Sequence, residues 1–132
     1  MMIALALALL TQAAAAELPV PQGPPSEAVA AEIEVIGKQL ETFRGGVYKK
    51  DGKLTCRIAK SSGDEAVDMV RCGAMLRCYA PKVEALDAIA ASDAPKDERN
   101  REMQAIVAAT QPCVTEASAA GVRMLAEQRV EP

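Results

Sequence analysis

The sequence SSGDEAVDMVRCGAMLRCYAPKV, residues 61–83, begins with helix-start signals and continues with apolar side chains at helical spacing. The acids Asp64, Glu65 and Asp68 complement an N-terminal helix dipole. Apolar residues then recur every three or four positions: Met69, Cys72, Leu76, Tyr79, Val83, Leu86 and Ala90. Because Pro81 falls inside this pattern, we expect a kink or a new helix there. The segment predicts an amphipathic helix that carries two of the four cysteines.

Upstream, residues 47–58 alternate in polarity and predict a β-hairpin. Asp51-Gly52 is a dipeptide that favours the two-residue turn of a hairpin. Leu54, Cys56 and Ile58 alternate with polar residues, so we expect Cys56 to face inward. A two-stranded hairpin is marginal in water, and this one must therefore pack on the helices.

A further helix precedes the hairpin. Ser26 is a suitable N-cap, and the apolar face that follows consists of Val29, Ile33, Ile36, Leu40 and Phe43. Gly45-Gly46 is expected to end this helix, because glycine is the common residue at helix C-termini.

Another helical pattern follows the start signal at Asp93–Glu98, where Pro95 suits a first turn. Its apolar face consists of Met103, Ile106, Thr110, Cys113, Ala117, Ala120 and Met124. Pro112 divides this pattern, so we expect the last helix to begin afresh there and to run to about Arg129. All these faces are interpreted as core. The predicted fold is mainly α, a small bundle of three to four helices with one short β-hairpin, within a single helical domain spanning 26–132.

The N-terminal residues 1–16 contain no charged side chain and combine an apolar core with a run of alanines. This pattern is typical of a secretory signal peptide, and the apolar run is too short for a transmembrane helix. Residues 17–25 hold four prolines and predict an extended spacer. We therefore predict a periplasmic or secreted protein. The composition is typical of small exported proteins of Gram-negative bacteria.

If the protein is exported, its four cysteines are expected to form two disulfides, because the compartment is oxidising. Cys72 and Cys78 lie about 9 Å apart along one helix, too far to pair with each other. If the helices flanking Asp93 pack antiparallel, Cys113 faces position 74. This register favours Cys72–Cys113 with Cys56–Cys78. The alternative, Cys56–Cys72 with Cys78–Cys113, follows closely because two prolines blur the register.

The composition disfavours several classes of active protein. The chain has no His, no Trp, one Phe and two Tyr, which removes imidazole bases and ligands and leaves little aromatic surface. No catalytic residue, metal ligand or cofactor site is therefore predicted. The alternative is a carboxylate-dependent envelope hydrolase. Its candidate acids form two clusters, Asp64-Glu65-Asp68 and Asp97-Glu98-Glu102, which capping of helix N-termini also explains.

Charge is concentrated on the predicted hairpin. Residues 44–60 hold six bases and one acid, a charge of +5, in a chain whose net charge is −3. The six bases are Arg44, Lys49, Lys50, Lys53, Arg57 and Lys60. They predict a binding patch for an anionic envelope component or another envelope protein rather than for nucleic acid. The bases alone favour a simpler interpretation, a solvated edge that discourages strand pairing. The sequence thus predicts a small, non-enzymatic interaction or scaffold module.

Overall fold

A computed structural model describes residues 23–131 as a helical bundle with one β-hairpin. The elements are α1 (Glu27–Thr42), β1 (Arg44–Lys50), β2 (Lys53–Lys60), α2 (Glu65–Tyr79), α3 (Val83–Ala91) and α4 (Lys96–Val130). A 3₁₀ turn at Ala80–Lys82 contains Pro81 and separates α2 from α3, as predicted. The predicted fold class is confirmed. The predicted signal peptide and residues 17–22 of the spacer lie outside the described residues.

The first helix begins as predicted but ends earlier. The Ser26 hydroxyl accepts the backbone N–H of Val29 at 3.3 Å. The helix stops at Thr42, because Phe43 turns to an extended conformation and packs its ring into the core. Gly45 therefore lies in β1 instead of ending α1, and a Cβ there would come within 2.7 Å of the Phe43 ring. The glycine permits this close approach.

The hairpin has the predicted turn. Asp51 and Gly52 both have positive φ, 51° and 76°, as a type I′ turn requires. In the antiparallel register Val47 lies opposite Cys56, and Cys56 faces inward as predicted, since it is bonded to Cys72. Ile58 is expected on the same inner face, but it is 44% exposed.

The core lies between α1, α2 and α4, and two predicted apolar faces are partly wrong. On α2 the buried residues are Val67, Asp68, Cys72, Ala74, Met75 and Cys78. Met69, predicted to be core, is 58% exposed. The hairpin, α1 and α4 all pack around α2, so its buried positions do not form a single stripe.

The last helix is continuous, contrary to the expected new start at Pro112. Its buried residues recur every four positions: Thr110, Val114, Ser118, Val122 and Ala126. After Thr110 the buried residues are spaced by four only, whereas the predicted face alternates steps of three and four. The predicted core residues on this part of the helix are therefore less buried: Cys113, Ala117, Ala120 and Met124. Pro112 and Ala108 are both exposed, so water can hydrate the carbonyl that the proline leaves without a helical donor.

All four cysteines are paired, but the favoured connectivity is wrong. The bridges are Cys56–Cys72 and Cys78–Cys113, the pairing held as the alternative. Cys113 lies opposite Cys78 instead of position 74, a difference of four residues or about one helical turn. The 3₁₀ turn shifts the register in this direction, because it rises about 2.0 Å per residue where an α-helix rises about 1.5 Å, but its three residues account for only about one of the four.

Candidate functional site

The six basic residues of the predicted patch do not form one surface. Lys49 points to the inner side of the hairpin, where its Nζ lies 2.8 Å from Oδ2 of Asp87 in α3. Arg44 turns back onto the end of α1 and donates from Nη1 to the carbonyl oxygens of Glu41 and Phe43, both at 2.8 Å. Both bases are therefore engaged within the fold.

The other four bases remain exposed along the hairpin: Lys50, Lys53, Arg57 and Lys60. We call these four residues the basic face. Within residues 23–131 none of them takes part in an ion pair. Lys50 lies directly opposite Lys53, where like charges are unfavourable, and an anionic partner would relieve that repulsion. Tyr48, on the same face of β1 as Lys50, is 42% exposed.

An open groove of about 880 Å³ lies between the hairpin and the helices. Its lining is largely apolar and includes Leu40, Phe43, Val47, Leu54, Met75, Tyr79, Val83, Leu86, Ala90, Met103, Val107 and Val114. Helix α3 has no buried residue. Val83, Leu86, Ala90 and Met103, which the periodicity assigns to the core, therefore line this groove instead of a closed interior.

One wall of the groove carries an arginine at its end. Arg71, Met75 and Tyr79 line the groove at four-residue spacing along α2. The Nε atom of Arg71 is buried and has no hydrogen-bond partner among the described residues. Burial raises the pKa of the Tyr79 phenol, so this group is neutral at physiological pH. The groove thus combines an apolar lining with a cation that no described side chain neutralises.

The first acidic cluster has structural partners. Asp68 is buried and accepts hydrogen bonds from the hydroxyls of Ser61 and Ser62 and from the Ser62 amide, at 2.8 Å for the amide. These bonds, above all that from the Ser61 hydroxyl, lower the pKa of Asp68. Asp64 caps α2 by accepting the amide of Ala66 at 3.0 Å. A side-chain hydrogen bond from Arg129 is the main cause of its lowered pKa.

The second acidic cluster lies at the start of α4, where Asp97, Glu98 and Glu102 are all exposed. Neither cluster lines the groove, whose acidic residues are Glu41 and Asp87. Asp87 is paired with Lys49. None of these observations favours the hydrolase alternative, which stays a prediction from the sequence.

The groove and the place of Arg71 in it are not predicted by the sequence. The signal was present only in part: Arg71 interrupts an apolar face and stands one helical turn before Met75 and two before Tyr79. Which apolar residues close into a core and which stay open depends on where α3 lies relative to the hairpin, and periodicity carries no information on that placement.

The described part of the chain contains no group of three or more His, Cys, Asp or Glu side chains that could hold a metal ion. None of its helices has the length and apolar character needed to cross a membrane. Comparison with known proteins finds no matching family, no similar curated protein and no similar solved structure.

Proposed function

We propose that this protein is an exported, non-enzymatic interaction module that binds an anionic envelope component through its basic face. The observation that carries the proposal is the exposure of Lys50, Lys53, Arg57 and Lys60 without an ion-pair partner in the described chain. A lipid phosphate surface suits these residues best, because Tyr48 beside them is an amphipathic aromatic of the type that favours membrane interfaces.

The expected strength of this contact is modest. Each Lys or Arg near an anionic membrane surface contributes about 1 kcal/mol, so four contribute roughly 4 kcal/mol. These exposed charges are screened within about 10 Å at 0.1 M ionic strength. Binding should therefore be reversible and should weaken as salt rises.

Export is supported by the two disulfides, since such bridges form and persist in oxidising compartments. The predicted signal peptide at residues 1–16 supports it from the sequence. Periplasmic and secreted locations are both compatible with these features.

Cosedimentation with lipid vesicles tests the proposal. We expect the protein to sediment with vesicles that contain phosphatidylglycerol, to stay in solution with pure phosphatidylcholine, and to be released by added salt. Reversing the basic face with K50E, K53E, R57E and K60E together should abolish sedimentation.

A charge-matched control reverses four exposed bases outside the basic face, Lys38, Arg77, Lys82 and Arg101. This variant changes the net charge by the same amount and should still sediment. Equal loss in both variants would show that only the net charge matters, and retained binding in the basic-face variant would overturn the proposal.

A further inference from the structure

We propose that the groove is a binding site for a single-chain anionic amphiphile, a long-chain fatty acid, whose carboxylate pairs with Arg71. This site is separate from the basic face and does not depend on its function. The proposal rests on the apolar lining of the groove, on the lack of an ion-pair partner for Arg71 within residues 23–131, and on the position of Arg71 beside the apolar residues.

The lining exposes apolar surface that packing within the chain does not cover. Helix α3 contributes Val83 and Leu86 to the groove without burying any residue completely. On the opposite wall Val107 is 45% exposed. Covering such surface is favourable by about 25 cal/mol per Å², so an alkyl chain lying in the groove would gain free energy.

Arg71 supplies charge complementarity for a carboxylate. Its Nε is buried, so a ligand in the groove would meet the two terminal nitrogens of the guanidinium, which form no hydrogen bond and no ion pair within residues 23–131. A charge-assisted bond from these nitrogens to a carboxylate is among the stronger polar contacts in proteins. The other cations of the groove, Arg44 and Lys49, already have partners.

The arrangement suits a molecule with one charged end. Arg71 and Tyr79 are separated by eight residues of helix, about 12 Å, and the wall continues through α3 to Leu86. Because Cys113 is bonded to Cys78, the residues preceding it on α4, back to Met103, run alongside this wall. The cation is thus the first groove-lining residue of α2, and the apolar wall continues from it along that helix and α3.

Size and polarity favour a lipid chain over an extended peptide. The volume of about 880 Å³ lies within the range of small-molecule sites, roughly 300–1,000 Å³. An extended peptide would bring backbone N–H and C=O groups that need partners. The open edge of β1 could pair with one side of such a peptide, but for the other side the groove offers only three uncharged polar side chains, those of Tyr48, Tyr79 and Gln111. An alkyl chain needs no such partners.

Competition binding tests the proposal with the oxidised full chain. Palmitate and hexadecanol, each below its aggregation concentration, displace a fluorescent fatty acid. We expect palmitate to bind at least roughly tenfold more tightly than the uncharged alcohol. The R71Q substitution should weaken palmitate binding by about that factor and leave hexadecanol binding unchanged.

Groove occupancy is tested at two exposed lining positions, with V107D and A90D. Each places a carboxylate against the chain and should abolish binding of both ligands. The matched control is V35D on α1, where Val35 is 49% exposed and outside the groove. It should bind like the unmodified protein. Circular dichroism and intact disulfides report folding for each variant.

Absence of palmitate binding by the folded, unmodified chain would overturn the proposal, as would an R71Q variant that keeps its preference for palmitate. Binding that survives both V107D and A90D would place the ligand elsewhere and would also overturn it. Failure here is distinguishable from failure of the proposed function: R71Q should sediment normally with anionic vesicles, and reversal of the basic face should leave palmitate binding unchanged.

Discussion

Asp68 is a carboxylate that the fold buries and surrounds with hydrogen-bond donors. Two serine hydroxyls and one amide from the loop between β2 and α2 converge on it. These bonds favour the ionised form, so its pKa in the folded protein lies below the ordinary value of 3.8. A group with a lowered folded pKa stabilises the fold above its unfolded pKa. That contribution disappears as pH falls through the folded pKa.

Removing the hydroxyl donors with S61A and S62A together should therefore lower stability at pH 7. The difference from the unmodified protein should begin to narrow below about pH 4, where Asp68 of the unfolded chain takes up a proton, and should disappear once the pH is below the lowered pKa of the folded protein. Denaturation midpoints measured from pH 7 to pH 2 check this. The control is S92A, which removes a hydroxyl bonded to the Ile89 carbonyl and should cost the same amount at every pH. A constant difference for the Ser61 and Ser62 variant would contradict the account.

For single residues, the sequence predicts where a side chain lies in a helix better than it predicts which side chains contact it. It places Asp64 and Asp68 correctly at the start of a helix, where Asp64 is the N-cap and Asp68 lies in the first turn. It does not reveal that Asp68 turns inward to the two serines, because that contact depends on the path of the loop. For the same reason the sequence shows only that Arg71 stands in line with Met75 and Tyr79 on the helix, and does not reveal that a groove lies beside them.

Among the elements, α2 and α4 pack tightly against each other at Gly121. A Cβ placed there would lie 2.8 Å from Cγ1 of Val70, which is closer than side chains normally allow. Gly73 in the neighbouring helix faces open space, with nothing within 4 Å of its ideal Cβ. Gly73 and Gly121 thus carry the same helix-propensity penalty relative to alanine, but a methyl group has space only at Gly73.

Alanine at the two positions should have opposite effects. G73A should stabilise the protein by up to about 1 kcal/mol, the propensity difference between Gly and Ala. G121A gains the same amount but forces Val70 to move, which costs about 1–3 kcal/mol. We expect G121A to be the less stable variant by about 1–3 kcal/mol in urea denaturation. Equal stabilisation at both positions would show that the helices can separate without cost.

The sequence predicts which segments are helices and strands. It predicts the buried side of a helix only where neighbouring elements cover one side of that helix. The stripe of α1 holds at Val29, Ile36 and Leu40 because α1 packs with one side on the bundle. The stripe of α2 fails at Met69, which is exposed because the hairpin, α1 and α4 contact other sides of that helix. In α4, Pro112 predicts a helix boundary because it has no backbone N–H to donate. The helix continues through it, since this residue lies on the exposed side, where water can hydrate the carbonyl that loses its helical donor.

In the whole molecule, both disulfides end on α2. Cys72 ties the hairpin to this helix, and Cys78 ties α4 to it. The loops they close span 16 and 35 residues. The chain-entropy relation then gives stabilisations of about 3 and about 4 kcal/mol. Either value is a large fraction of the net stability of a small domain, typically about 5–15 kcal/mol.

Tryptic digestion without reduction should release these bridges separately, because Lys and Arg residues isolate each cysteine on its own peptide. We expect mass spectrometry to find peptide 54–57 linked to 72–77, and 78–82 linked to 102–123. Free thiols are alkylated first to prevent exchange. A link between 54–57 and 78–82 would instead indicate the connectivity favoured by simple helix register and would contradict the observed packing.

The two bridges also change the path by which mechanical tension would cross the molecule. The shortest covalent route enters through α1 and β1, passes from Cys56 to Cys72, and then from Cys78 to Cys113. Residues 57–71 and 79–112 carry no load along this route. Force applied at the two ends would therefore unfold α1 and the C-terminal half of α4 first. The segments inside the two disulfide loops, α3 among them, would bear no force until a disulfide breaks.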